Sequence, residues 1–232
     1  ARMHGRYPAS SSGGVPLVFF WARTVTCPNP ACGIEIPLVG QWKASGRKGN
    51  EAMFVPKPSP DGQSIDVEVR YGRHSAPPST LQRTSGQCPT CGSGFPLAYV
   101  KQEGMSGRMG ARMLAVQERL NGKRYFRPAT EDDREAAAVP APDAPWLSPQ
   151  LSTHSQYMAP PRYGLTTFRD LFLPRQLAML TVFTEELETV AGEAMRAASQ
   201  PVGDRDTKSF NDGGRGARAY GDAMRILLAI GV

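Results

Sequence analysis

The chain has 232 residues, 40% of them apolar, and carries 27 Lys and Arg against 21 Asp and Glu for a formal net charge of +6. That is enough chain to bury at least one sizeable core, with room for two units. No run approaches the roughly 18 apolar residues of a membrane-spanning helix, and VPLVFFWA near the start is short and lacks the flanks of a signal peptide.

The charge is uneven. Residues 1–128 hold 17 Lys and Arg against 7 Asp and Glu, a net of +10, whereas residues 129–232 hold 10 against 14, a net of −4. Any polyanionic partner is therefore expected to meet the first half, the other reading being a soluble protein with unevenly spread surface charge. The chain opens on Ala1 and its last helical pattern runs into Val232, so it reads as an internal piece of a longer protein.

In chain order, residues 1–14 form a polar, Gly/Ser-rich, flexible lead-in. Val15 to Cys27 has the apolar, β-branched content of a strand, and a second apolar run covers Ile34 to Val39. KASGRKGN at 43–50 reads as a basic loop. Ile65, Val67 and Val69 alternate with Asp66, Glu68 and Arg70, the pattern of a half-buried strand. Residues 72–86 are loop-like, and Phe95 to Val100 reads as a strand. Met113–Val116 and Arg124–Arg127 flank Asn121-Gly122, the dipeptide that most favours a tight hairpin.

Thr130 and Asp133 have the spacing of a capping box for a short helix. Residues 139–161 are Pro-rich and read as a linker. Beyond Pro174, a suitable first helical residue, Leu177, Leu180, Phe183, Leu187, Val190 and Ala194 recur at helical steps and predict a helix of about 25 residues with one packing face. After DGG at 212–214, Tyr220, Met224, Leu227 and Gly231 share a face of another helix. The expected class is α+β: a β-rich zinc ribbon over 15–128 with a long insertion, a short helix and linker over 129–162, and a helical segment over 163–232.

The ribbon assignment rests on the chain's four cysteines. They fall in CPNPACGIEIP (Cys27, Cys32) and CPTCGSGFP (Cys88, Cys91), each pair with Pro after its first cysteine and Gly after its second. Three readings compete: structural zinc, a disulfide or redox pair, and unrelated buried thiols. Four thiolates suit tetrahedral zinc, Gly permits the tight turn, and backbone N–H groups there can stabilise ligating sulfurs. A disulfide needs an oxidising compartment, which nothing here suggests, and unrelated thiols would not share flanks. Zinc is the expectation, as a closed site with no position for a substrate water. The 55 residues between the pairs are tolerable as an insertion, because closure cost grows only logarithmically. His4, His74 and His154 lie in loop-like segments and read as incidental, although His74 could in principle join the metal.

No nucleophile–base arrangement and no phosphate-binding fingerprint is identifiable. GMSGRMGARM, 104–113, could bring Arg108 and Arg112 against a nucleic-acid backbone, and Lys123 and Arg124 extend the candidate contacts. The other reading of 104–113 is a mobile β-hairpin or loop with solvated charge. Trp21, Trp42, Tyr71, Tyr125 and Phe126 are interleaved with basic residues, which permits base stacking but is also the pattern of core or rim aromatics.

FWARTVTCPNPACGIEIPLV, QCPTCG with YVKQEGMSGRMGARMLAV, and YGLTTFRDLFLPRQLAML resemble, in order from about Tyr7 to Leu228, the middle of the large zinc-ribbon-bearing adenine-specific DNA methyltransferases of bacteria and archaea. In that family the ribbon is similar to an insertion in a Rossmann-like domain, after the Gly-rich cofactor segment and before an Asp-Pro-Pro-Tyr motif. Neither motif occurs in these 232 residues. The resemblance implies S-adenosylmethionine-dependent methylation of adenine by the parent protein, with Cys27, Cys32, Cys88 and Cys91 as presumed zinc ligands. It assigns no catalytic residue here and gives Arg175 and Gln176 no chemical role. Expected partners are DNA and the remainder of the methyltransferase chain, in the cytoplasm. The reading from a different class is a non-enzymatic zinc-ribbon module that binds nucleic acid or a protein.

Overall fold

A computed structural model describes residue 10 and residues 13–154, 158–199 and 206–230. Most of the expected lead-in, His4 and Gly231 lie outside them. The fold is mixed α+β and divides into two compact units, one built from 13–138 with 145–173 and the other from 139–144 with 174–230.

The first unit contains two main sheets. Long strands β1 (Val15–Thr26) and β8 (Gly110–Leu120) pair antiparallel, flanked by β2 (Glu35–Pro37) and β9 (Lys123–Pro128), in the order β2-β1-β8-β9. β8 and β9 join through Asn121 (φ 50°) and Gly122 (φ 76°). Two successive left-handed residues make a tight turn whose twist matches the strands, as the dipeptide predicts. The second sheet is β3 (Lys43–Ser45), β4 (Ala52–Pro58) and β5 (Ile65–Tyr71), in that order.

Phe20, Phe54 and Phe126 meet between these sheets with centroids 5.3–6.1 Å apart, alongside buried Trp42, Val67 and Ala115. On the far side of the first sheet, Met113 and Val116 pack with Ala137 of helix α2 (Glu131–Ala137). Thr130 caps α2 in the expected box: its hydroxyl accepts from the Asp133 N–H, and the Asp133 carboxylate accepts from the Thr130 N–H.

The structure corrects two local expectations and adds a strand that the sequence did not signal. Phe95–Val100 is not a strand: β7 (Gly94–Pro96) pairs with β6 (Ser85–Gln87) and stops, and Leu97–Met105 is helix α1. Pro96 supplies the extended residue at the helix start (φ −75°, ψ 156°), and Val100, Glu103 and Gly104 form the buried face at helical spacing. Within 43–50, the first three residues form β3. Strand β4 had no sequence signal because Pro56 and Pro58 lack amide donors. The sheet admits them because β3 covers β4 only at Ala52 and Met53, so the prolines face an open edge while still opposing Val67 and Ile65.

The Pro-rich stretch also departs from a plain linker, since 145–173 belongs to the first unit. Gly104 in α1 lies so close to the 3-10 turn Pro160–Tyr163 that a Cβ would collide with the Tyr163 carbonyl. Arg23 Nη2 donates to the Asp170 carbonyl at 2.9 Å. These contacts put the boundary nearer Pro174 than the expected 162/163.

The second unit is led by α3 (Pro174–Ala198) and α4 (Ala217–Ile230). They run antiparallel: Gly221 packs on Ala191 and Met195, while Arg225 reaches Glu188 at 3.2 Å. A Cβ on Gly221 would stand 2.9 Å from the Ala191 carbonyl, so the seam is built from small residues in close approach. That differs from the expected stripes. Leu177 is buried, but Phe183, Val190, Tyr220 and Leu227 are exposed; the close approach of the two helices uses Ala191, Met195 and Gly221, and the other buried residues of the helices include Ala178, Val182, Ala217 and Ala219. Arg175 lies buried in the first turn of α3. No helix among the described residues is long and apolar enough to cross a membrane.

Candidate metal centre and basic surface

Each cysteine pair sits in a loop closed by the same backbone bond. Cys27 N–H donates to the Ile34 carbonyl at 2.8 Å, and Cys88 N–H donates to the Ser93 carbonyl at 2.9 Å. Inside the loops, Gly33 N–H donates to Asn29 and Gly92 N–H to Cys88, both at 3.0 Å, with φ of 60° and 73° at the two glycines. A β-carbon is disfavoured at such φ, which accounts for Gly after the second cysteine of each pair.

The loops meet face to face, with Asn29 Nδ2 donating to Ser93 Oγ at 3.3 Å. The four sulfurs lie within 4.8 Å of one another, including Cys27–Cys91 at 3.7 Å and Cys32–Cys88 at 3.9 Å. A tetrahedron with arms of about 2.3 Å, the zinc–thiolate distance, has edges of about 3.8 Å. The donor set therefore fits a tetrathiolate metal site in size and chemistry.

The electrostatics suit a site completed by a cation. Burial pushes the Cys27 thiol up to about 12 against the Asn29 N–H, and burial raises Cys88 against the Thr90 and Cys91 N–H groups. At exposed Cys91, the hydroxyl and N–H of Ser93 hold the thiol down at about 6. Gathering four thiolates without a metal would place like charges less than 4 Å apart; zinc removes that repulsion and deprotonates its ligands. Beneath the sulfurs, Val25, Ile34, Ile36, Ile65, Phe95 and Val100 form a small core with Cys27 and Cys88. The Tyr99 hydroxyl donates to the Thr26 carbonyl at 2.8 Å and ties α1 to the first loop. His74 is not part of this group: its Nε2 bonds the Tyr71 carbonyl at 2.8 Å.

The candidate DNA-contacting residues separate into two kinds. Arg108 makes a two-point ion pair with buried Glu103 at 2.6 and 3.0 Å, which closes the end of α1 and holds the Glu103 carboxyl below its usual range. Arg112 donates to Asp66 at 2.7 Å across the two sheets, and Arg134 donates to the same oxygen at 2.7 Å. The 104–113 segment is thus the end of a helix and the start of a strand, with its arginines engaged by carboxylates. Arg127, between Glu118 and Asp133, is engaged likewise.

Lys123 and Arg124 are exposed at the far end of the β8–β9 hairpin, with no ion pair among the described residues. The interleaved aromatics mostly serve the core: Trp42 is buried with Nε1 donating to the Pro78 carbonyl, Phe126 is buried, and Trp21 packs beside Met113. Tyr71 and Tyr125 are exposed, and the Tyr71 hydroxyl is bound to the backbone of Phe126.

Sequence reasoning overlooked Asp66, which lies between two arginines, and Arg119, directly opposite Arg124 in the β8–β9 register. Arg119 could have been found by counting two residues back from Asn-Gly as Arg124 is two residues on. Nothing in the local sequence marks Asp66, because its partners are 46 and 68 residues away. No protein family, curated protein or solved structure matches this chain.

Proposed function

We propose that this chain is the zinc-ribbon and helical portion of an S-adenosylmethionine-dependent DNA adenine methyltransferase of the cytoplasm, contacting or orienting DNA and inactive by itself. One observation carries the reading: two cysteine loops separated by 55 residues bring four sulfurs to the spacing of one tetrahedral zinc. Four cysteines as zinc ligands of a ribbon at these positions are what the resemblance implies. Cys27, Cys32, Cys88 and Cys91 would hold the zinc, and the metal would supply folding free energy rather than reaction chemistry, since a closed tetrathiolate site has no open position.

The resemblance puts S-adenosylmethionine on a Gly-rich cofactor segment that does not occur in these 232 residues. In this reading it binds the remainder of the methyltransferase. The contribution of this chain is to hold duplex DNA through its basic first half while the parent protein extrudes the target adenine, a step that costs a few kcal/mol.

Methyl transfer to duplex DNA tests the reading, measured for the chain alone and for the parent polypeptide with and without residues 15–128. The expected result is no transfer by the chain alone, transfer to the adenine exocyclic amine by the parent, and loss of DNA engagement on deletion. A parent that lacks both a Gly-rich cofactor loop upstream and Asp-Pro-Pro-Tyr downstream would leave the non-enzymatic zinc-ribbon module as the reading.

A further inference from the structure

The geometry points to the turn end of the β8–β9 hairpin, Arg119, Lys123 and Arg124, as the surface that grips the phosphate backbone of duplex DNA, in place of the 104–113 segment. This inference rests on the DNA-contacting role proposed above and names where that contact lies.

The argument begins with the ladder. The Phe126 N–H donates to the Tyr71 hydroxyl at 2.6 Å, and its carbonyl accepts from that hydroxyl at 2.9 Å. Both backbone groups therefore point away from β8, so Gln117 and Phe126 form a non-hydrogen-bonded pair. Two residues along each strand, Arg119 and Arg124 form another. In such pairs the Cα atoms stand about 4.5 Å apart and the side chains are at their closest. Like charges directly opposite are destabilising, yet here two guanidiniums occupy the tightest cross-strand position available. The two-residue turn keeps the strands paired to the tip, so the chain cannot splay to relieve the repulsion.

Neither arginine has a carboxylate partner among the described residues, and Lys123 adds a third exposed cation beside them. The contrast with the rest of the hairpin is sharp in charge. Arg127, three residues along β9, is held by two carboxylates, and Arg112 in β8 is held by Asp66. By the same alternation, the Arg124 N–H faces the open edge of the sheet, since β9 is the last strand in the order, and adds a backbone donor beside the guanidiniums. Tyr125 and Val18 are exposed nearby, and Glu118, the carboxylate next to Arg119 in sequence, is buried and paired with Arg127. Clustered exposed cations, an outward N–H and strands paired to the tip recognise phosphate without reading sequence.

The test uses the zinc-loaded full chain and a fluorescently labelled duplex of mixed sequence, with anisotropy followed from about 50 to about 200 mM salt. The variant Arg119→Ser, Lys123→Ser, Arg124→Ser is expected to weaken binding at least about tenfold and to flatten the salt slope by about 2 to 3. Its thermal midpoint should be unchanged or raised, because a repulsive pair has been removed. Arg108→Ala is expected to change affinity less than about twofold, since its charge is already met by Glu103.

A wild-type chain that binds DNA with the triple variant binding equally well overturns this surface and leaves the DNA-contacting role standing. A wild-type chain with no salt-dependent DNA binding overturns both. Binding of poly-glutamate as tight as binding of the duplex, and lost in the same variant, overturns nucleic acid as the partner in favour of an acidic protein.

Discussion

The two ends of strands β1 and β8 are treated in opposite ways. At the cysteine end, Thr24 Oγ1 donates to Glu35 at 2.5 Å, Arg112 meets Asp66, the Tyr99 hydroxyl meets the chain, and four thiols converge over a small apolar core. At the other end β8 carries Arg119 opposite Arg124 of β9, with Lys123 beside them and no carboxylate partner for the three among the described residues. The cysteine end gathers interactions that stabilise the chain, whereas the hairpin tip, beyond the pairs of Arg127 with Glu118 and Asp133, retains charge that costs stability and is available to a ligand. Where a small β unit concentrates its polar contacts shows which part holds it together and which part faces outward.

The largest effect should come from the metal. Structural zinc in small domains contributes roughly 10–16 kcal/mol of apparent free energy at neutral pH, comparable with or above the whole stability of a typical domain. Removing zinc with a chelator, or replacing Cys88 and Cys91 by Ser, should therefore abolish cooperative unfolding of the first unit, with loss of β-sheet circular dichroism. A β signal that survives chelation unchanged would mean that the apolar core beneath the sulfurs suffices alone.

Gly104→Ala comes next. Its methyl group would meet the Tyr163 carbonyl, and forced overpacking of this kind costs about 1–3 kcal/mol. Urea unfolding measures it, and a neutral result would show that the 160–164 turn yields freely. Arg112→Ala should cost about 1–2 kcal/mol, because it removes a charged hydrogen bond in a half-buried pair; Arg124→Gln at the other end should cost nothing or gain a few tenths. Equal losses at the two positions would erase the contrast between the ends.

A smaller effect concerns pH. Burial pushes Asp133 up, but the two-point contact with Arg127 and the Thr130 cap outweigh it and hold the carboxyl at about 2, below its ordinary 3.8. A lowered pKa contributes stability that is present above about pH 4 and is lost as pH falls toward 2. After solvent screening the contribution is on the order of 1 kcal/mol. The stability difference between wild type and Asp133→Asn should hence stay constant from pH 8 to about 5. A difference that already shrinks over that interval would contradict the linkage.

The features legible in the sequence were those whose cause is local. Asn121-Gly122 fixed a turn because two successive left-handed residues are needed there, and Thr130 with Asp133 announced a cap that four residues can build alone. The matched flanks of the cysteine pairs likewise reflect a demand within each loop. What was not legible depends on distant partners. β4 is a strand despite two prolines because β3 stops short of them. The 97–105 segment is helical because Pro96 ends β7 and Val100 finds the core under the sulfurs. The helical stripes misled for a related reason: Gly221 lets α3 and α4 approach on small residues, and periodicity alone does not say which of two apolar faces a neighbour will choose. Arg108 and Arg112 read as available cations until Glu103 and Asp66 were placed against them.

The most direct test of the account is the metal content and coordination of the purified chain, by zinc quantification with X-ray absorption at the zinc edge. The account predicts one zinc per chain with four sulfur neighbours at about 2.3 Å, lost on replacing either Cys27 and Cys32 or Cys88 and Cys91 by Ser. Absence of zinc, nitrogen or oxygen in its first coordination sphere, or zinc retained after either pair is removed would contradict a single site clamping the two loops together.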